Sequence, residues 1–125
     1  MIVNSISGLV FASNAILLWL NNQPLYATLM CLLTITSVWN HYVETKISAI
    51  IDKIAVYAVV LYGGYHFLCK NVDTNIALTI ITMFIASGLI YYVILPQISN
   101  PLRYVQIHGL LHFVASIGHH LIALS

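Results

Sequence analysis

Five apolar runs, each long enough to cross a bilayer and each followed by only a few polar residues, constrain this chain more than any other feature. Crossing a hydrocarbon core of about 30 Å takes about 20 mostly apolar residues in a helix. The runs cover residues 2–20, 25–43, 47–68, 76–95 and 102–124. Asn21-Asn22-Gln23-Pro24, Glu44-Thr45-Lys46, Lys70 to Asn75 and Gln97 to Asn100 separate them. Lipid offers a backbone amide nothing to bond, so spanning segments satisfy themselves as helices. The expected fold is all-α, a polytopic transmembrane bundle of about five helices forming one domain. Every connection is short, so neighbouring helices should be antiparallel, and any chemistry must lie within the helices.

Composition enters here as an exclusion. Of 125 residues, 61% are hydrophobic and 6% charged, whereas a soluble domain carries roughly a quarter charged residues. Four Lys and Arg cannot make the basic patch that nucleic acid calls for. The first run has no basic stretch before it and no small-x-small site after it, so it reads as a span and not as a cleaved leader. Cys31 and Cys69 match no metal or redox spacing and read as small apolar residues. Lys46, Lys53 and Arg103 fall on one side of the expected bundle and only Lys70 on the other. That bias places the N-terminus in the cytoplasm.

Against this apolar background a few polar groups stand out. Ser37 and His41 close the second run, Asp52 follows eleven residues after His41, and His108 and His112 lie in the fifth. Ionisable groups inside a membrane are costly and by default point to function. At about 1.5 Å per residue, Asp52 lies roughly 9 Å into its helix, and His108 and His112 roughly 10 and 16 Å into theirs. His41 ends its helix on that same side. Three helices are therefore expected to bring their polar groups to one leaflet.

His108 and His112, four residues apart, share a helical face. With His41 they form a candidate set of three zinc ligands with a fourth position open, the pattern of a catalytic zinc site. Such a zinc lowers the pKa of bound water and makes a nucleophile of it. Asp52 is placed to take the water's proton. Ser37, one turn before His41, is placed to donate to a developing oxyanion or to orient the ligands. The plainer reading is that a membrane histidine bonds a neighbouring helix, and two histidines at this spacing are a weak motif by themselves.

Ser37-xxx-His41, Asp52 and His108-xxx-His112 together resemble the signature of the CREST superfamily of transmembrane hydrolases. This group includes the alkaline ceramidases, the progestin and adipoQ receptors, and the haemolysin III-like proteins. The step from His41 to Asp52 is most similar to the ceramidase branch. Asn4-Ser5-Ile6-Ser7 is similar to that branch's Asn-x-x-Ser pattern in the first span, with no acidic residue before it and with Gly8 where a second Asn is common. The resemblance implies zinc on His41, His108 and His112, with Asp52 and Ser37 beside it. It also implies hydrolysis of a lipid amide or ester drawn from the bilayer. The family usually has seven spans where five are expected here, and a homodimer would supply the missing walls.

His66, His119 and His120 fall towards the opposite leaflet. His119 is about 10 Å along the axis from His112, too far for the same ion, and all three read as interhelical or interfacial groups. Tyrosines near span ends, with Trp19 and Trp39, read as interfacial anchors. Gly63, Gly64, Gly88, Gly109 and Gly118 read as close helix contacts. Two other functions stay open. Histidines at two depths could hold two haems and pass electrons across the membrane, although that leaves Ser37 and Asp52 unexplained. A non-catalytic binding or scaffold protein could also retain the site.

Overall fold

The computed structural model describes residues 2–125, Ile2 by its backbone alone. It is 89% helical, with no strand among the described residues. The first run forms α1 (Ile2–Gly8) and α2 (Val10–Leu20). They are nearly continuous: Leu9 keeps a helical backbone, and its N–H reaches back to Ile6 O at 3.1 Å, tightening one turn. There follow α3 (Pro24–Val43), α4 (Lys46–Leu68), α5 (Thr74–Leu89) and α6 (Pro101–Leu124).

Local chemistry sets the ends. Pro24 and Pro101 open α3 and α6, where a missing N–H is harmless. Asn100 caps α6 by accepting from Arg103 N at 3.1 Å, and Asp73 caps α5 by accepting from Asn75 N at 3.0 Å. Between α3 and α4, Glu44 takes a left-handed backbone, φ 54°. Thr45 and Ser48 then exchange a reciprocal capping pair, both bonds 3.1 Å long. The α3–α4 turn therefore has only two residues. At the far end of α5 the helix widens into a π turn, Ile90–Ile94, and tightens into a 3₁₀ turn, Leu95–Gln97. Pro96 explains the change: it has no N–H, and its ring would clash with Tyr92 O in a regular helix.

Among the described residues, four helical stretches are long and apolar enough to cross a membrane: Val3–Leu20, Lys46–Cys69, Thr74–Gln97 and Pro101–Leu124. The expected fifth, α3, has the length, but Thr34, Thr36, Ser37, Asn40 and His41 make it less apolar. All of these but Thr34 belong to the candidate site or bond to it. Polarity is inverted relative to a water-soluble protein. Asn14, Ser37, Ser48, His112, Ser116 and His119 are buried, while Leu20, Leu61, Leu68 and many others are exposed. Such a surface suits hydrocarbon, and the chain reads as a membrane protein.

The helices form an open ring in the order α4, α3, α1 with α2, α6, α5, and α4 also touches α6. Leu18, Tyr26, Met30, Val59, Ile80 and Ile122 fill the centre. Lipid tails are as apolar as Leu, so close packing and interhelical polar bonds hold such a bundle. Gly63 and Gly118 are close contacts, as expected: a Cβ on Gly63 would lie 2.6 Å from Tyr26 Oη, and one on Gly118 would lie 3.2 Å from Phe84. Gly64 and Gly88 are not close contacts, since a Cβ there meets nothing within 4 Å. Beyond that α4–α6 contact the ring stays open, for no Cα of α4 comes within 8 Å of one in α5.

Candidate metal centre

His41 lies in the last turn of α3, and His108 and His112 lie a turn apart on α6. The three imidazoles converge. Ring centroids are 4.6 Å apart for His41 and His108, 5.3 Å for His41 and His112, and 4.8 Å for His108 and His112. One possible ligand atom from each lies within 4.8 Å of the other two, so this group could hold a metal ion. His41 and His112 are buried and His108 is half-buried.

A test of fit comes from what the ring nitrogens bond. Ser7 Oγ lies 2.9 Å from Asn4 O and 2.8 Å from His112 Nδ1. A hydroxyl has one proton to give, and a carbonyl can only accept. The Ser7 proton therefore goes to Asn4 O, and His112 Nδ1–H must donate to Ser7 Oγ. This tautomer leaves His112 Nε2 with a bare lone pair, as a ligand requires. His108 Nδ1 is buried without a hydrogen-bond partner among the described residues, a costly arrangement unless something else satisfies it. Phe11 and Tyr104 pack edge-on against His112 and His108, with centroids 5.4 and 5.7 Å away. The residues fit a metal ion.

All five residues singled out from the sequence line a single cavity of about 820 Å³. Ser37 is buried, and Gly8 stands directly against it: a Cβ there would lie 3.0 Å from Ser37 Oγ. The small residue that departs from the resembled pattern therefore makes room for the serine. Asp52 accepts from Thr36 Oγ1 at 3.0 Å, and the Asn40 side chain also hydrogen-bonds it. Asn40 Oδ1 in turn accepts from Ser48 Oγ at 3.0 Å. So α3 carries two adjacent polar stripes: Ser37 and His41 line the cavity beside α6, and Thr36 and Asn40 hold Asp52 of α4. Asn4, whose Oδ1 is buried without a partner among the described residues, lines the same cavity.

Sequence reasoning passed over Thr36 and Asn40, although their four-residue spacing beside Ser37 and His41 was a visible signal. It noticed Ser7 only through a resemblance, because no local pattern ties it to a helix a hundred residues later.

Two of the remaining histidines, His119 and His120, bond between helices as expected, whereas His66 Nε2 is buried without a hydrogen-bond partner among the described residues. Tyr26 Oη hydrogen-bonds His119 Nδ1, joining α3 to α6. Asn14 Nδ2 lies 2.8 Å from His120 Nδ1, and His120 Nε2 lies 3.3 Å from Ser13 Oγ, joining α2 to α6. Ser116 Oγ donates to Asn14 Oδ1 at 2.6 Å within that network. Tyr62 stacks on His66, centroids 6.2 Å apart. Tyr26 is 1% exposed and is therefore a core residue, not the interfacial anchor its place near a span end predicts.

Comparison with family models, curated proteins and solved structures gives no match to this chain.

Proposed function

We propose that this protein is a zinc-dependent membrane hydrolase of a lipid amide or ester, a short relative of the CREST superfamily. The observation that carries the reading is the convergence of three imidazoles from α3 and α6 at a cavity that also holds Asp52 and Ser37 and has apolar further walls. Zinc with three histidine ligands and an open position would supply Lewis acidity and an activated water. His41, His108 and His112 would hold it, with His112 oriented by Ser7. Asp52, steadied by Thr36 and Asn40, takes the proton of the attacking water and returns it to the departing amine or alcohol. Ser37 donates a hydrogen bond from its hydroxyl to the oxyanion that develops on the scissile carbonyl.

Haem is less well served. Two of the three ring pairs meet edge to face and the third is tilted, all with centroids 4.6–5.3 Å apart, an arrangement that suits one small ion and offers no slot for a porphyrin between two of them. For orientation, the lysine and arginine bias favours a cytoplasmic N-terminus, which puts the metal centre towards the cytoplasmic leaflet.

Metal analysis of the detergent-purified protein tests the core of this reading. The parent should hold about one zinc per chain, and the His108→Ala/His112→Ala variant none. Asp52→Asn should keep the zinc and lose at least about 10²-fold of ceramide or phospholipid hydrolysis. Parent protein without zinc would overturn the metal assignment. Zinc-loaded protein that turns over neither lipid class would leave a binding or scaffold role.

A further inference from the structure

The open side of the ring is bridged by one pair of hydroxyls. Tyr57 of α4 and Tyr92 of the π turn hydrogen-bond each other, oxygen to oxygen, at 2.7 Å. Both side chains are exposed on the outer surface, yet both also line the cavity. Beside the bridge much of the cavity wall is apolar or bare, with Val56 and Val60 from α4 and Phe84 and Gly88 from α5, while Lys53 of α4 and Ser87 of α5 also line it. Asn4, Ser37, Asn40 and Asp52 line the cavity together with the three histidines, and His119, two turns beyond His112, lines it as well. A space of this size, within the range of small-ligand sites of roughly 300–1,000 Å³, suits a molecule with one polar end and one apolar chain. In a bilayer, hydrocarbon would lie against exposed residues of these two helices such as Leu61 and Ile85.

Resting on the lipid-substrate reading above, we propose that the seam between α4 and α5 is a lateral portal through which an acyl chain enters the cavity, and that Tyr57 and Tyr92 form its latch. Two phenol hydroxyls facing hydrocarbon lack water and so bond each other. No close packing of α4 on α5 has to be broken to part them. The π turn has a part in this, because the widened helix at Ile90–Ile94 is where Tyr92 projects across the gap.

The test uses the full-length protein in phosphatidylcholine nanodiscs and a palmitic acid carrying a mid-chain diazirine. Brief irradiation followed by peptide mass spectrometry locates the label. In the parent, label is expected at Val60, Phe84 and the Gly88 segment. Tyr57→Phe and Tyr92→Phe should each raise the initial labelling rate of those positions about threefold, the factor equivalent to a typical interhelical hydrogen bond in a membrane. The double variant should add nothing, since both changes remove the same bond. Gly88→Phe puts a ring into space where a Cβ meets nothing within 4 Å. It should abolish cavity label and leave label at Leu61 and Ile81. Each tyrosine variant loses a single oxygen, so they carry the test even if the bulkier Gly88 variant fails to fold. Label confined to Leu61, Ile81 and Ile85 in the parent would overturn the portal, as it would if a second copy of the chain covered the seam. Cavity label at an unchanged rate in the phenylalanine variants would overturn the latch. The same labelling in His108→Ala/His112→Ala protein separates this inference from the enzyme reading, because chain uptake needs neither metal nor turnover.

Discussion

Among single residues, Ser7 is the most informative for the metal centre, because proton accounting assigns it a direction. Its hydroxyl gives to Asn4 O and receives from His112 Nδ1, which holds one ligand in one tautomer and one orientation. Groups that orient a ligating histidine typically contribute 10- to 100-fold in metal affinity. On the proposed zinc reading, Ser7→Ala should weaken zinc binding by about that factor in a chelator competition on the purified protein, with helicity unchanged. An unaltered affinity would mean that α6 packing alone orients His112. Asp52 is held in a comparable way by Thr36 and Asn40. Its candidacy was legible in the sequence from the cost of burying a carboxylate in a membrane. Its partners were not, because Thr and Asn at helical spacing are common in any span.

At the level of elements, hydropathy and turn chemistry located the helices closely, since lipid forces each long apolar run to close its own hydrogen bonds. What they left open was how near two helices may come. Gly63 decides this for α4 against α3 and α6. A Cβ there would lie 2.6 Å from Tyr26 Oη and 3.2 Å from His119, and neither ring can move without breaking their mutual bond. Gly63→Ala should lower the thermal unfolding midpoint in detergent, a destabilisation of about 1–3 kcal/mol from overpacking. Gly64→Ala, one residue on and facing open space, should leave the midpoint unchanged or raise it slightly, since alanine favours the helix over glycine. Equal losses in both variants would place the effect in the α4 backbone and not in the contact. From the sequence the two glycines are indistinguishable neighbours.

Across the whole molecule, the bundle turns polar groups inward and apolar ones outward. It leaves one side open, between α4 and α5, beyond the contact α4 makes with α6. The charged residues are too few to fold anything, but they bear on orientation. With Lys46, Lys53 and Arg103 on one side and Lys70 on the other, a reporter fused after Ser125 should be active outside the cytoplasm. Activity inside would reverse the orientation and move the metal centre to the outer leaflet. Lys70 itself is tied down, its Nζ donating to Ile122 O at 2.8 Å, one of the carbonyls that the end of α6 leaves unpaired.

The sequence by itself determined that the chain is helical, apolar and membrane-suited and roughly where its helices lie, though not the break at Leu9 or the π and 3₁₀ turns after Leu89, and it singled out His41, Asp52, His108 and His112. Those properties depend on local periodicity and on the price of placing polar atoms in hydrocarbon, both of which are written residue by residue. Only the tertiary structure decided which faces meet. It brought His41 of α3 against two histidines of α6, set Ser7 behind one of them, and turned His119 and His120 away to Tyr26 and Asn14. It also held α4 and α5 apart. Helix rotation and spacing follow from side chains interlocking across several helices at once, and no single stretch of sequence carries that information.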